Sequence, residues 1–420
     1  MSDWQSLIRQ EWKRRADAVE KKEGFFPLIA QSFDDNEIVA VVDTLLTGQL
    51  TMSKKVKEFE TQFAKYLGAP YAVMVNSGSS ANLLAFAAAA NPLRKKYLKK
   101  GDQVLIPSVC WSTSVWPIIQ MGLEPVFVDV DSETLNVNLE DLEKKMTPKT
   151  KGVMGVHILG NAAPMKAFQE ICQKNNLIVI EDTCESLGSK ADGKYLGTIG
   201  DFGTFSFYYS HHITTGEGGM VTCKTKEDYD LLKCLRAHGW SRELSNREEL
   251  EEKYSDVDPR FLFVNVGYNF RPMEVQAAFG ILQIDRLENM NKNRNINREN
   301  LIKALKEHSR WNGQLLFSEA SPNVEASWFG FPCLLNPKIA EKKKAYLDHL
   351  STQGVENRPI VSGNFARQPA LKLYGVECNP LDFPGAEVIN NSGFFIGLHT
   401  EVLKPLVIKH LSDVLLGFDF

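Results

Sequence analysis

The chain has 420 residues, of which 43% are hydrophobic and 24% charged, with a formal net charge of −4 at pH 7. That is ample for a large core, and it excludes both a disordered chain and the strongly basic surface of a nucleic-acid binder. The opening stretch MSDWQSLIRQEWKRRADAVE scatters charge among isolated apolar positions and lacks the apolar centre of a signal peptide, while the alanine-rich run Leu83–Ala90 is too short to cross a membrane. A helical N-terminal arm over residues 1–30 of a cytoplasmic protein, with no nucleic-acid or membrane partner, is the expectation.

Between Gly68 and Cys223, short apolar runs alternate with helical patterns. YAVMV at 71–75 precedes a helix from Ser79, and QVLIP at 103–107, PVFVDV at 125–130, KGVMGVH at 151–157, LIVIED at 177–182, GTFSFY at 203–208 and GMVTC at 219–223 follow. Continuous apolar strands separated by helices predict a mostly parallel sheet covered on both faces. From Pro272 onward the pattern is that of one long connecting helix, and after about residue 311 short strands and turns predict a smaller α+β domain. The expected division is an arm over 1–30, a large domain over 31–290, and a linking helix with a small domain over 291–420.

Seven cysteines (Cys110, Cys172, Cys184, Cys223, Cys234, Cys333, Cys378) are scattered, several within apolar runs, and none forms a Cys-x-x-Cys pair. Reduced thiols are expected, with no metal and no iron–sulfur cluster.

Three segments carry chemistry. In VNSGSSANLLAFAAAA, Gly78 permits a tight turn between strand and helix, and the amides of Ser79 and Ser80 lie at the helix N-terminus, an anion site that a simple serine cap would also explain. Asp182 ends an apolar strand where an α/β sheet opens its crevice. In GTFSFYYSHHITTGEGGMVTC, Ser206 lies in a strand and His211 and His212 follow in a turn before Gly216, Gly218 and Gly219.

The last segment resembles the sugar aminotransferase/dehydratase branch of the fold-type I PLP enzymes (DegT/DnrJ/EryC1 type), in which Ser-Phe-x-x-x-Lys-x-x precedes a Gly-Glu/Asp-Gly-Gly turn. In that register His211 stands in the lysine's place. GDQVLIPSVCWSTS, EDTCESLGS and GYNFRPMEVQAA follow the family's order. The resemblance implies an α/β fold of the aspartate-aminotransferase type with a mostly parallel central sheet and a smaller α+β C-terminal domain. It also implies that Trp111 stacks on the cofactor ring, that Asp182 holds its pyridinium nitrogen, and that Glu185 stands beside its phenolic oxygen. It further implies that Gly78, Ser79, Ser80 and Ser206 bind the cofactor and that Asn269 reaches the phosphate of a neighbouring subunit's cofactor, so a homodimer is expected.

A lysine at position 211 would bind pyridoxal phosphate covalently, and histidine cannot. The cofactor, pyridoxal or pyridoxamine 5′-phosphate, is therefore expected to be held non-covalently, with His211 as general base or acid and His212 as the less favoured partner. This change resembles the NDP-4-keto-6-deoxyhexose 3-dehydratases, on the path to 3,6-dideoxysugars. Lacking closely spaced cysteines, the chain is similar to the branch that uses L-glutamate as co-substrate and acts on a nucleotide sugar, GDP-4-keto-6-deoxymannose being the implied substrate. His238 and Arg242, in LRAHGWSRE, fall in a region that lines the site across the subunit boundary in those relatives, although a helix end at Gly239 also explains the run. Arg358 and Arg367 are candidates for the glutamate carboxylate or the sugar diphosphate, and surface salt bridges explain them nearly as well. A sugar aminotransferase that has lost its lysine and a non-catalytic cofactor- or sugar-binding regulator are the competing readings.

Overall fold

The computed structural model describes residues 3–18 and 24–420. Of the predicted N-terminal helix, Trp4–Ala18 is helical, and the remaining positions, 1–2 and 19–23, lie outside the described residues. No residue of this helix is buried; it leans on its own chain through Arg9 to Asp35 at 2.8 Å and Trp12 against Phe33 at 5.8 Å.

Seven strands form the central sheet: β1 (Tyr71–Val75), β2 (Gln103–Pro107), β3 (Glu124–Val128), β4 (Thr150–Val156), β5 (Ile178–Asp182), β6 (Phe202–Ser206) and β7 (Gly219–Cys223). Their spatial order is β1-β7-β6-β5-β4-β2-β3. β2 through β6 pair in parallel, and β7 runs antiparallel to both of its neighbours, β1 and β6. Every residue of β7 is buried, as expected for a strand covered on both faces. All strands except β7 therefore present their carboxyl ends at one edge, where β7 begins.

The helix Gly78–Ala89 enters from that edge and buries nine of its 12 residues, mostly alanines whose small side chains let it lie close to the sheet. Gly78 has a steric reason to be glycine: a Cβ there would stand 2.5 Å from the Cβ of Ser206. The turn after β1 and the end of β6 are thereby pressed together.

The predicted connecting helix spans Glu274–Glu307, 34 residues and about 50 Å at 1.5 Å per residue, and runs unbroken through residue 290. Its first residue caps a neighbouring helix, with the buried Glu274 carboxylate accepting from the amides of Ser53, Lys55 and Val56. Its middle differs from the apolar stripe expected. The buried positions there are Asn291, Arg294, Asn297 and Arg298, a polar face on the helical period. Asn291, Asn293, Asn295 and Asn297 donate to the carbonyls of Leu187, Thr400, Ala326 and His399, so this stretch is fastened to loops of both parts of the molecule by backbone recognition.

Beyond the long helix, Leu315–Phe317, Gly330–Leu335, Gly393–Gly397 and Asn357–Arg358 form an antiparallel sheet with its own apolar core around Phe331, Tyr346, Phe394 and Leu411. The segment after the N-terminal helix joins this part of the molecule, where Phe26 pairs with Val355 and the Leu28 amide donates to Glu356. No described helix is long and apolar enough to cross a membrane.

Candidate active site

A cleft of about 700 Å³ opens at the carboxyl edge of the central sheet, where ligands bind in open α/β folds. Gly78, Ser79, Trp111, Asp182, Glu185, Ser206, His211 and Arg358 line it, so eight of the sequence-predicted residues, drawn from across 280 positions of chain, meet in one place. Phe329 and Phe395 close the side formed by the C-terminal part of the molecule.

Asp182 ends β5 and is buried. Its Oδ2 accepts from Asn82 Nδ2 at 2.9 Å and Ser114 Oγ at 2.6 Å, and its Oδ1 from the Cys184 amide at 3.2 Å. The Thr204 hydroxyl donates to Asn82 Oδ1 at 2.6 Å, which turns the amide nitrogen of Asn82 toward the carboxylate. Three donors compensate the buried carboxylate, and Oδ1, carrying only one of them, keeps a lone pair for a further donor. A cationic ring N–H suits that vacancy.

The turn after β1 forms a second wall. Ser77 caps the helix, its Oγ accepting from the Ser80 amide at 3.1 Å, and the Ser80 hydroxyl is engaged with the same oxygen at 3.0 Å. The Ser80 amide, expected at the anion site, donates to this cap, and Ser80 does not line the cleft of its own chain. The amides of Gly78 and Ser79, in the first turn, have no intrahelical acceptor, and with the neighbouring Ser206 they form the concavity an anion fits. Trp111, 58% exposed, stands at the same cleft as an apolar wall.

His211 follows β6 in a turn closed by its own amide donating to the Tyr208 carbonyl. Its Nδ1 lies 2.6 Å from the Cys184 carbonyl oxygen. A carbonyl only accepts, so Nδ1 carries the proton and Nε2 of the neutral ring bears a bare lone pair. Burial, the largest influence, holds the imidazole below its ordinary range against the opposing pull of the Cys184 carbonyl and Asp182. The end of β5 thus supplies both Asp182 and the carbonyl that sets the tautomer of His211. His212 points elsewhere: it is fully buried, and its Nε2 lies 2.8 Å from the Ser327 carbonyl.

Glu185, half-buried in the cleft wall, accepts from the Leu159 amide at 3.1 Å. Burial pushes its carboxyl from the ordinary 4.5 up to about 7, with nearby Asp182 adding to the rise and the Leu159 amide opposing it. The sign for stability follows. The folded state favours protonated Glu185, so a cost appears as pH rises above 4.5 and is complete above about 7. Glu185→Gln should therefore stabilise the cofactor-free protein by up to about 3 kcal/mol at pH 8 and by nothing near pH 4. Urea midpoints of the two proteins across that range check this; an unchanged difference at both ends would show that Glu185 ionises normally.

Five predicted residues lie outside the cleft of their own chain: Ser80, Asn269, His238, Arg242 and Arg367. Asn269 is exposed and accepts from Arg271 Nε at 3.0 Å. His238 sits at φ +63°, packed edge-on to Trp240, and Gly239 at φ +80° returns its amide to the Cys234 carbonyl, the helix end the sequence allowed. Arg242 lies over Trp240 at 4.1 Å and donates to the Arg260 carbonyl. Arg367 has its guanidinium on Glu387 with two bonds, at 2.7 and 2.5 Å, and does not line the cleft of its own chain. Arg358, by contrast, lines the cleft with no carboxylate partner among the described residues.

Sequence reasoning missed Asn82, Ser114, Thr204 and Arg294. A lone Asn inside an otherwise apolar helix was a signal for Asn82. Arg294 sits in the run NKNRNINREN, which reads as a solvated helix face, and only the packing reveals it as buried and lining the cleft.

The sequence model of the DegT/DnrJ/EryC1/StrS aminotransferase family matches residues 31–408. The chain is 39% identical over 392 residues to the GDP-4-keto-6-deoxy-D-mannose 3-dehydratase of Escherichia coli O55:H7, covering 93% of this chain and 99% of the relative. A solved structure of the E. coli GDP-4-keto-6-deoxy-D-mannose 3-dehydratase with bound hydrated PLP superposes with a TM-score of 0.86 at 37% identity, covering 93% of this chain and 99% of that one. Another, of GDP-4-keto-6-deoxymannose 3-dehydratase with a trapped PLP-glutamate geminal diamine, gives 0.85 at 37% identity, covering 93% and 100%.

Proposed function

Because the chain belongs to the DegT/DnrJ/EryC1/StrS aminotransferase family, we propose that it is a pyridoxal/pyridoxamine phosphate-dependent 3-dehydratase. It removes the C3 hydroxyl of GDP-4-keto-6-deoxymannose with L-glutamate as amino donor, on the path to the 3,6-dideoxysugars of surface polysaccharide. The observation that carries this reading is the histidine with a bare Nε2 where the family's lysine would stand, in one cleft with the compensated carboxylate of Asp182.

When bound, the cofactor supplies an amine that condenses with the C4 ketone and a ring that takes up electrons. Asp182, whose carboxylate is compensated by Asn82, Ser114 and the Cys184 amide, would hold a cationic ring nitrogen and keep it protonated. The amides of Gly78 and Ser79, with Ser206, receive the phosphate, and Trp111 covers the ring. His211, with Nε2 bare, would move the proton at the carbon that joins the amine to the ring, and a neutral imidazole suits that task. Glu185, which lines the same cleft with its carboxyl pushed up to about 7, would supply a proton there. Over the cycle glutamate gives up its amine and two electrons to become 2-oxoglutarate. The sugar loses its C3–O bond and gains a hydrogen, and the amine leaves as ammonia.

The working form is a cytoplasmic homodimer with Asn269, His238 and Arg242 serving the partner's cleft. Their place outside their own cleft supports this, as does the exposed apolar surface beside them: Phe261, Phe263, Val266 and Met273 are each between 46% and 79% exposed.

The test follows the nitrogen. Purified protein with pyridoxal phosphate, L-glutamate and GDP-4-keto-6-deoxymannose should yield 2-oxoglutarate and free ammonia in equal amounts. Nitrogen retained on the sugar would make the chain an aminotransferase instead.

A further inference from the structure

Three arginines are buried among the described residues: Arg236, Arg294 and Arg298. Arg236 is answered by Glu60 at 2.6 Å and Glu243 at 3.2 Å, and Arg298 by the Ser318 carbonyl with Glu319 at 4.0 Å. Arg294 has no acidic partner among the described residues. It is 4% exposed, its single hydrogen bond is Nη1 to Asn291 Oδ1 at 3.3 Å, and its buried Nε has no acceptor. Burying a guanidinium without a counter-charge costs several kcal/mol. The chain nonetheless keeps this one on a fastened stretch of helix, with Asn293 and Asn295 on either side bonded to the Thr400 and Ala326 carbonyls, and Arg294 lines the cleft. An unanswered, pre-positioned fork of donors facing a ligand site is built for an anion that arrives with the ligand.

Three anions come to the cleft in the reading above: the cofactor phosphate, the sugar diphosphate and the carboxylates of glutamate. The phosphate is taken by the turn at Gly78 and Ser79, on the wall formed by β1 and β6, whereas Arg294 projects from the long helix, whose neighbouring Asn293 donates to the Thr400 carbonyl. The diphosphate lies across the whole sugar ring from the reacting C4, carries a nucleoside, and is matched by the exposed Arg358. Arg294 is interior and close enough to His211 that its charge helps hold that imidazole neutral. The α-carboxylate of an amino acid, one carbon from the reacting nitrogen, is the anion that must come nearest to His211. Resting on the glutamate-dependent reading, we infer that Arg294 is the docking group for the α-carboxylate of the amino-acid co-substrate.

The experiment uses the pyridoxal phosphate-loaded protein without sugar, following the loss of pyridoxal absorbance and the formation of the 2-oxo acid. L-Glutamate, its α-amide (isoglutamine) and L-glutamine are compared in the wild type and in Arg294→Gln. The wild type should favour glutamate over the α-amide by about 100-fold in kcat/KM, the scale of one charge-assisted fork. In Arg294→Gln glutamate should lose about 100-fold and the α-amide little, so that discrimination collapses. A merely structural role would lower both equally. Retained discrimination would overturn the assignment, as would its collapse against L-glutamine, which marks the γ-carboxylate. Arg294→Lys keeps the charge without the fork; should the Gln variant not fold, it should show about tenfold weaker discrimination, and an undiminished ratio overturns the inference. When GDP-4-keto-6-deoxymannose is added in a second stage, a wild type that converts glutamate yet leaves the sugar unchanged would sink the sugar reading while leaving Arg294 in place. A wild type inert toward glutamate would sink both.

Discussion

His211→Asn should leave the cofactor bound and lower deoxygenation by about 10²–10⁴-fold, the span of a lost general base. The fold should survive, because the Asn amide can still donate to the Cys184 carbonyl that now holds Nδ1 at 2.6 Å. The reactive Nε2 is what disappears. The two steps that need a base, proton removal after glutamate binds and after the sugar binds, should therefore fail together, and stopped-flow absorbance of each half-reaction reads them separately. Near-normal rates in both would remove His211 from proton transfer. Loss of only one would divide the work between His211 and a second group, with Glu185 the first to examine.

Asp182→Asn should cost about 10²–10³-fold in turnover, the magnitude attached to losing one pre-organised electrostatic group. Its local effect is legible as well. Asn82, Ser114 and the Cys184 amide all donate to this carboxylate. An amide NH₂ turned toward any of them meets a donor with a donor, and one buried donor goes unanswered at about 1–3 kcal/mol. Both a lower urea midpoint and a collapse of turnover are expected, with cofactor retained through the turn at Gly78. Full turnover in the variant would mean that the ring nitrogen does not need a charged partner.

The strands of the central sheet were legible because each is a short apolar run that must be buried on both faces, and the structure shifts their ends by only one or two positions. The site was legible where chemistry and local structure coincide: Asp182 ends a strand, Gly78 makes a turn, and His211 follows a strand in a glycine-rich segment. It was not legible where a side chain's role depends on tertiary packing alone. Ser114 and Thr204 are unremarkable in sequence and acquire meaning only by converging on Asp182 and Asn82. Arg294 and Arg367 make the sharpest contrast. Two arginines in polar surroundings are equivalent as sequence, yet Glu387 claims one and the long helix turns the other into the cleft. The asparagines of that helix were equally opaque, since a polar face fastened to backbone carbonyls has the same residue pattern as a solvated one.

Deoxygenation of a keto-sugar at C3 with electrons from glutamate leaves its mark on the mass of the sugar nucleotide after turnover in deuterium oxide by the wild-type protein. The expected product is one oxygen atom lighter and carries solvent deuterium at C3. A sugar nucleotide that keeps its C3 oxygen while 2-oxoglutarate accumulates would show that this chain is no 3-dehydratase.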